Sequence, residues 1–222
     1  MIIDVSRHNS YIAWPKVAAA GVTRAIIRAT MGSQGIDVRF SANWAQSLAA
    51  GILRRGVYHY VTTATSPQLQ HDHIMNVTGG DWGTEPLVLD VERTEAERNK
   101  MVAGWVFPKA AYTDMLLKLA TALAAHGPVM IYTNDTEWRT MTTQPAWAAQ
   151  YPLWAAAWGT APPVVPSPWV DWRMWQYSNV GQVAGIIGNV DLSRENVIAP
   201  PAVDQVALEI GGHALDIRGL VA

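Results

Sequence analysis

Short apolar, β-branched runs recur along the chain. In its first part each is followed by a segment whose apolar residues fall at helical spacing, the alternation expected of βα units around a parallel sheet. Ile2-Ile3-Asp4-Val5 predicts a first strand and Trp14 to Ala20 a short helix ended by Gly21. Ala25 to Ala29 predicts a second strand, followed by a helix from Arg39 to Ala50 that stops at Gly51. Val57-Tyr58-His59-Tyr60 is a third, with Pro67 to Val77 helical before Gly79-Gly80, and Leu87 to Val91 is a fourth. After Pro108, residues Tyr112, Met115, Leu116, Leu119 and Leu123 share one helical face, with the proline suited to the first turn and Gly127 to the C-terminal cap. Val129 to Tyr132 is a fifth strand, followed by a helix from Asp135 to Gln150.

The rhythm then changes. Leu153 to Ala156, Met174 to Tyr177 and Val190 to Leu192 read as three strands joined by loops rich in Pro and Gly, without room for helices. Five βα units and three further strands make a single-domain α/β fold, an irregular TIM-like (β/α)5(β)3 barrel over residues 1–199. Pro200-Pro201 marks a boundary. In the tail, 200–222, Val206, Leu208 and Ile210 alternate with other residues, Gly211-Gly212 offers a turn, and Leu215 and Ile217 resume the alternation, which predicts a short β-hairpin. A hairpin this small does not stand alone, so it must pack on the barrel, lead into a longer chain or serve self-association.

Half of the 222 residues are apolar and 15% are charged, which provides for a sizeable core and is unlike a disordered chain. Lys and Arg number 16 against 18 Asp and Glu. No basic run is present that could neutralise a row of phosphates, so nucleic acid is not an expected partner. The absence of cysteine excludes a disulfide framework, a thiolate metal site and a cysteine nucleophile. Neither a signal peptide nor a membrane span is expected, because the N-terminus lacks a basic segment leading into a long apolar one and no stretch of about 18 apolar residues follows. Eleven Trp and seven Tyr stand against two Phe; such a bias suits platforms for sugar rings as well as ordinary packing.

In a parallel barrel the reactive groups sit at the C-terminal ends of the strands. Asp4 closes the first strand, Asp90 and Glu92 close the fourth, and Asp191 lies on the last. Asp90 and Glu92 are two apart on extended chain, so their side chains leave one face from origins roughly 6.5 Å apart. Closure of the barrel makes the first and last strands neighbours and brings Asp4 and Asp191 beside that pair. Carboxylates crowded in one pocket do not all ionise, and a protonated carboxyl beside a charged one is what glycoside hydrolysis needs. The same residues would also serve as a strand end with its charges turned to solvent.

The order and spacing of several short motifs resemble the glycoside hydrolase family 25 lysozymes. These are Ile3-Asp4-Val5-Ser6, Arg28-Ala29-Thr30 with Asp37, Phe40 and Asn43, Gly56 to Tyr60, Leu89 to Glu92, Ile131-Tyr132-Thr133, Leu153-Trp154-Ala155, Trp175 to Ser178 and Gly188 to Leu192. The resemblance spans about residues 2 to 198 and implies hydrolysis of the β-1,4 bond between N-acetylmuramic acid and N-acetylglucosamine in peptidoglycan. It makes Glu92 the general acid, gives Asp90 an orienting or charge-stabilising role, and completes an acidic floor with Asp4 and Asp191. A carboxylate nucleophile, a water-based inversion and attack by the substrate's own acetamido carbonyl all remain open, the last being favoured. Tyr58, Tyr60, Tyr132, Trp154 and Gln176 match positions that line the cleft, and Arg28 is expected either to pair with the acidic cluster or to form a structural salt bridge.

This chain departs from the family pattern in carrying Met31 where an acidic residue is frequent and in its Arg7-His8-Asn9-Ser10 loop. The stretch from Arg93 to Phe107, with Trp105, is expected to be a loop overhanging the cleft. No cofactor or metal is expected: His71 and His73 stand i, i+2 on a helix and do not face each other. Two other functions use similar residues, a non-catalytic barrel that binds cell-wall glycan and a glycosidase acting on another N-acetylated sugar polymer. The first has no chemical need for Glu92. A wall hydrolase without a signal peptide is expected to stay in the cytoplasm of the producing cell until released, as a phage endolysin does, or to travel on a virion.

Overall fold

The structure, a computed structural model, describes residues 1–196 and the pairs 209–210 and 213–214. Its strands are β1 (Ile2–Val5), β2 (Arg24–Met31), β3 (Gly35–Ile36), β4 (Arg54–Tyr60), β5 (Leu87–Asp90), β6 (Val129–Thr133), β7 (Leu153–Ala156), β8 (Met174–Gly181) and β9 (Val190–Glu195). Its α-helices are α1 (Trp14–Ala19), α2 (Phe40–Ala49), α3 (Pro67–Thr78), α4 (Glu95–Val102), α5 (Lys109–Ala124) and α6 (Asp135–Met141). Eight strands close a barrel in the order β1-β2-β4-β5-β6-β7-β8-β9, with β9 pairing back onto β1. The two-residue β3 hangs on the end of β2, opposite Thr30 and Met31. Five strand–helix units and three strands are therefore present, as the alternation predicts.

β9 is the one barrel strand that runs against its neighbours, antiparallel to both β8 and β1. Only residues 182–189 join β8 to β9, and parallel pairing would need a crossover of a dozen residues or more. The reversal has a consequence for chemistry. Asp191 is near the start of β9, and because that strand is inverted, its start lies at the mouth where the other strands end; Asp4 and Asp191 are direct cross-strand partners.

Alternation along the strands builds the interior in layers. Ile2, Ile26, Val88, Met130 and Met174 form an apolar cluster inside the barrel. Two residues further along the same strands stand Asp4, Arg28, Asp90, Tyr132 and Gln176. The apolar layer is thus a dry floor beneath a polar one. Below it, Arg24 closes the other end through Glu195 at 2.7 Å and Glu85 at 3.4 Å, with Arg54 2.8 Å from Glu85. The larger core lies between barrel and helices and holds Trp14, Leu116, Leu119 and Trp138.

Two expectations are corrected. The helix expected from Asp135 to Gln150 ends at Met141, and Ala146–Gln150 is a separate 3-10 turn. Pro145 is the cause: its ring cannot follow a helical carbonyl four residues back, and it disfavours the α region for the residue before it, so the helix cannot run on through Gln144. The loop expected from Arg93 to Phe107 contains α4. Its start is a capping box in which the Thr94 hydroxyl accepts from the Glu97 N–H and the Glu97 carboxylate accepts from the Thr94 N–H. In the tail, Glu209–Ile210 pairs antiparallel with His213–Ala214 across the Gly211-Gly212 position. The rest of the expected hairpin, with Val206, Leu208, Leu215 and Ile217, lies outside the described residues.

Candidate active site

At the C-terminal mouth of the barrel is a pocket of about 320 Å³ lined by Asp4, Tyr58, Asp90, Glu92, Tyr132, Trp154, Gln176 and Asp191. All four acids expected from the strand ends are brought together there. Val88 forms the floor, and Arg98 and Trp158 join the rim.

Gln176 organises one wall. Its Oε1 accepts from the Tyr132 hydroxyl and from Trp158 Nε1, each at 3.0 Å. Two donors at that oxygen fix the amide orientation, and its Nε2 consequently donates to both oxygens of Asp4, at 3.2 and 3.0 Å. Trp154 is anchored by Nε1 donating to Ser193 Oγ at 3.1 Å and meets the Tyr132 ring edge-on at 5.0 Å. These aromatics are held by their polar ends, which leaves their faces fixed in place.

Burial is the largest influence on every acid here. Asp4 is raised well above the usual carboxylate range by burial and then by the charge of Asp191 opposite, against which the Gln176 donors work. Asp191 is itself raised by burial, offset by its hydrogen bond with Asp4. The contact between the two carboxyls raises Asp4 and lowers Asp191, so of the pair Asp4 is the one favoured to hold a proton. Asp90 is raised well above its ordinary value by burial, then by Glu92 and Asp4, with Arg28 opposing. Its Oδ1 is buried without a hydrogen-bond partner.

Glu92 differs from Asp90 in reach. Its side chain is 32% exposed, whereas Asp90 as a residue is 6% exposed. Burial raises its pKa and Arg98, with Nη2 3.8 Å from Glu92 Oε2, moderates the rise. Arg98 is also 3.4 Å from Glu137 Oε1. Glu137 is clamped by Arg93 at 2.7 Å and kept below its ordinary value by that partner despite burial. A charged Glu137 in turn pushes Glu92 upward.

Two of the expected residues are placed elsewhere. Arg28 pairs with Asp37 at 2.8 Å and does not line the pocket; Asp37 also accepts from the backbone N–H of Arg7 and Arg39, both at 2.9 Å. This is the structural salt bridge of the two alternatives, although the guanidinium still acts on Asp90 through its charge. Tyr60 stands behind the rim, where burial and the charges of Glu92 and Asp90 keep its hydroxyl protonated. Trp105 packs edge-on against Phe107 at 5.5 Å instead of lining the cleft; Arg98 is what its segment contributes to the pocket. His59, flanked by both tyrosines, bonds Thr30 at 2.8 Å and Gln70 at 3.1 Å, and burial lowers its pKa to about 4.

Sequence reasoning misses Arg98 and Trp158. The capping-box spacing of Thr94 and Glu97 is a signal for the helix that carries Arg98. Trp158 follows the end of β7 by two residues, the position where a barrel loop presents side chains to the mouth.

The model of the family described as Glycosyl hydrolases family 25 matches residues 3–186. Lysozyme M1 of Streptomyces globisporus is 36% identical over 202 residues, covering 87% of this chain and 67% of that protein. The N,O-diacetylmuramidase of a Chalaropsis species is 26% identical over 204 residues, covering 85% of this chain and 94% of its own. Among solved structures, a bacterial lysozyme from Streptomyces coelicolor superposes with a TM-score of 0.73 at 33% identity, covering 87% of this chain and 90% of that one. With its barrel, its acidic mouth and residues 3–186 accounted for, the chain belongs to glycosyl hydrolase family 25.

Proposed function

We propose that this pocket hydrolyses the β-1,4 bond between C1 of N-acetylmuramic acid and O4 of N-acetylglucosamine in peptidoglycan, with Glu92 as general acid and Asp90 orienting the substrate's acetamido group. The observation that carries this reading is the contrast between the two carboxyls of one strand end. Glu92 has a raised pKa and reaches solvent, the combination suited to giving a proton to a leaving oxygen near neutral pH. Asp90 lines the same pocket and is buried, with one carboxyl oxygen unpartnered, and its carboxyl is the group this reading assigns to the acetamido N–H of the bound sugar.

In this scheme the acetamido carbonyl oxygen of the muramic acid bonds to C1 as the C1–O4 bond breaks. Glu92 transfers its proton to O4, and the positive charge left on the acetamido nitrogen is stabilised by Asp90. Water then attacks C1 from the opposite face, Glu92 takes the proton from that water, and the ring opens to restore the amide. Two displacements retain configuration. Asp4, sharing a proton with Asp191 and held by Gln176, keeps that wall from adding a further full charge beside the reacting centre.

The test is to follow a soluble peptidoglycan fragment by proton NMR during the first turnovers. The new anomeric signal is expected to belong to N-acetylmuramic acid and to appear first as the β anomer. A new N-acetylglucosamine end would overturn the choice of bond, and the α anomer appearing first would overturn the acetamido route.

Trp158 is 62% exposed yet fixed by Gln176, which suits it to stack on a sugar face at the rim. Trp158→Ala should raise KM about fivefold, the equivalent of about 1 kcal/mol of aromatic contact, while kcat changes less. Trp158→Phe should recover most of that loss. A kcat defect without a change in KM would assign Trp158 to Gln176 positioning instead.

A further inference from the structure

On the outer helical ring, away from the pocket, His71 of α3 and His126 of the turn between α5 and β6 face each other with their Nε2 atoms 3.3 Å apart. Their ring centroids are 5.4 Å apart and the ring planes are inclined by 38°. We propose that these two histidines form a binding site for a divalent transition-metal cation of the Zn2+ type, stapling α3 to the α5–β6 turn.

Three features support the site. The first is spacing: with Zn–N bonds of about 2.0–2.1 Å, two ligands at a tetrahedral angle place their nitrogens about 3.3–3.4 Å apart. The pair already stands at that separation.

The second is tautomer control. Asp72 Oδ1 lies 2.9 Å from His71 Nδ1, so the ring donates its Nδ1–H to the carboxylate and presents the Nε2 lone pair outward. This carboxylate–histidine arrangement is the outer shell that orients metal-ligating imidazoles and raises their basicity.

The third is rigidity. His71 is within a three-turn helix that packs on α5. His126 is in a turn held by its own N–H to the Leu123 carbonyl at 2.9 Å, and the following Gly127 has Trp82 against it so closely that a Cβ there would approach the indole to 2.9 Å. Ligands on fixed elements lose little freedom when a metal binds.

His73, two residues along α3, is turned away and bonds the Gly35 carbonyl at 3.0 Å, so it is not a third ligand. Two imidazoles leave the remaining positions to water, which suits Zn2+, Ni2+ or Cu2+ over Mg2+.

The full chain should be titrated with ZnCl2 by calorimetry in a non-chelating buffer near neutral pH. One saturable site is expected, lost in His126→Ala and in His71→Ala, retained in His73→Ala, and weakened about tenfold in Asp72→Asn. Zn2+ should raise the melting temperature of the wild type and leave that of His126→Ala unmoved. Circular dichroism establishes that the variants keep the native fold. An isotherm unchanged by His126→Ala would overturn the proposal and place any bound Zn2+ at the acidic mouth; no saturable binding, with His71 and His126 merely sharing a proton, would overturn it as well.

Discussion

Glu92→Gln is expected to lower kcat/KM on peptidoglycan by about 10²–10⁴-fold, the range that general acid catalysis supplies. Glutamine keeps the size and the polar end of the side chain but has no proton to give to the leaving O4. The loss is expected to shrink sharply on an activated aryl glycoside, whose leaving oxygen departs without protonation. Stability separates this from a folding defect. Burial disfavours the ionised Glu92 in the folded chain, so the neutral amide should leave the melting temperature near neutral pH unchanged or higher. In the wild type the acid must be protonated, so kcat/KM falls as pH rises through the raised Glu92 value. A variant that retains activity on peptidoglycan would remove Glu92 from its proposed role.

Asp90→Asn is expected to lose about 10²–10³-fold in kcat, comparable to removing one preorganised electrostatic partner of a developing charge. It is also expected to gain stability near neutral pH. The folded chain holds the Asp90 proton to a higher pH than the unfolded chain, where an aspartate titrates at about 3.9. A group with a raised folded pKa contributes stability that is fully present below the unfolded value and is lost as pH rises through the folded one. Asparagine, neutral throughout, escapes that loss. The melting-temperature gap between variant and wild type should therefore be largest near neutral pH and close towards about pH 4. A variant that is both inactive and less stable near neutral pH would show Asp90 to be a structural acceptor, contrary to the role argued for it.

Much of the barrel is legible because its strands carry a period of two around an interior of fixed size. Ile2 and Asp4, Val88 and Asp90, and Met130 and Tyr132 each set an apolar residue in the floor and a polar one in the mouth above it. The direction of β9 is written in connection length and not in Val190-Asp191-Leu192 itself. The α4 helix is hidden by composition: Glu97 is its only buried residue, so no apolar stripe announces it, although its capping box does. Arg28 shows the limit of placement by strand. It occupies the polar layer, but which acid it pairs with depends on Asp37, delivered by the β3 turn that short-range pattern does not reveal. Trp158 escapes because its place on the rim depends on the Gln176 amide orientation, a contact between the loop after β7 and β8.

The most direct measurement is digestion of purified peptidoglycan by wild type and by Glu92→Gln, followed by borohydride reduction and mass spectrometry of the new ends. Muramitol ends from the wild type, at least about 10²-fold fewer from the variant, are the predicted result. Glucosaminitol ends, or muramitol ends in equal yield from both proteins, would contradict it.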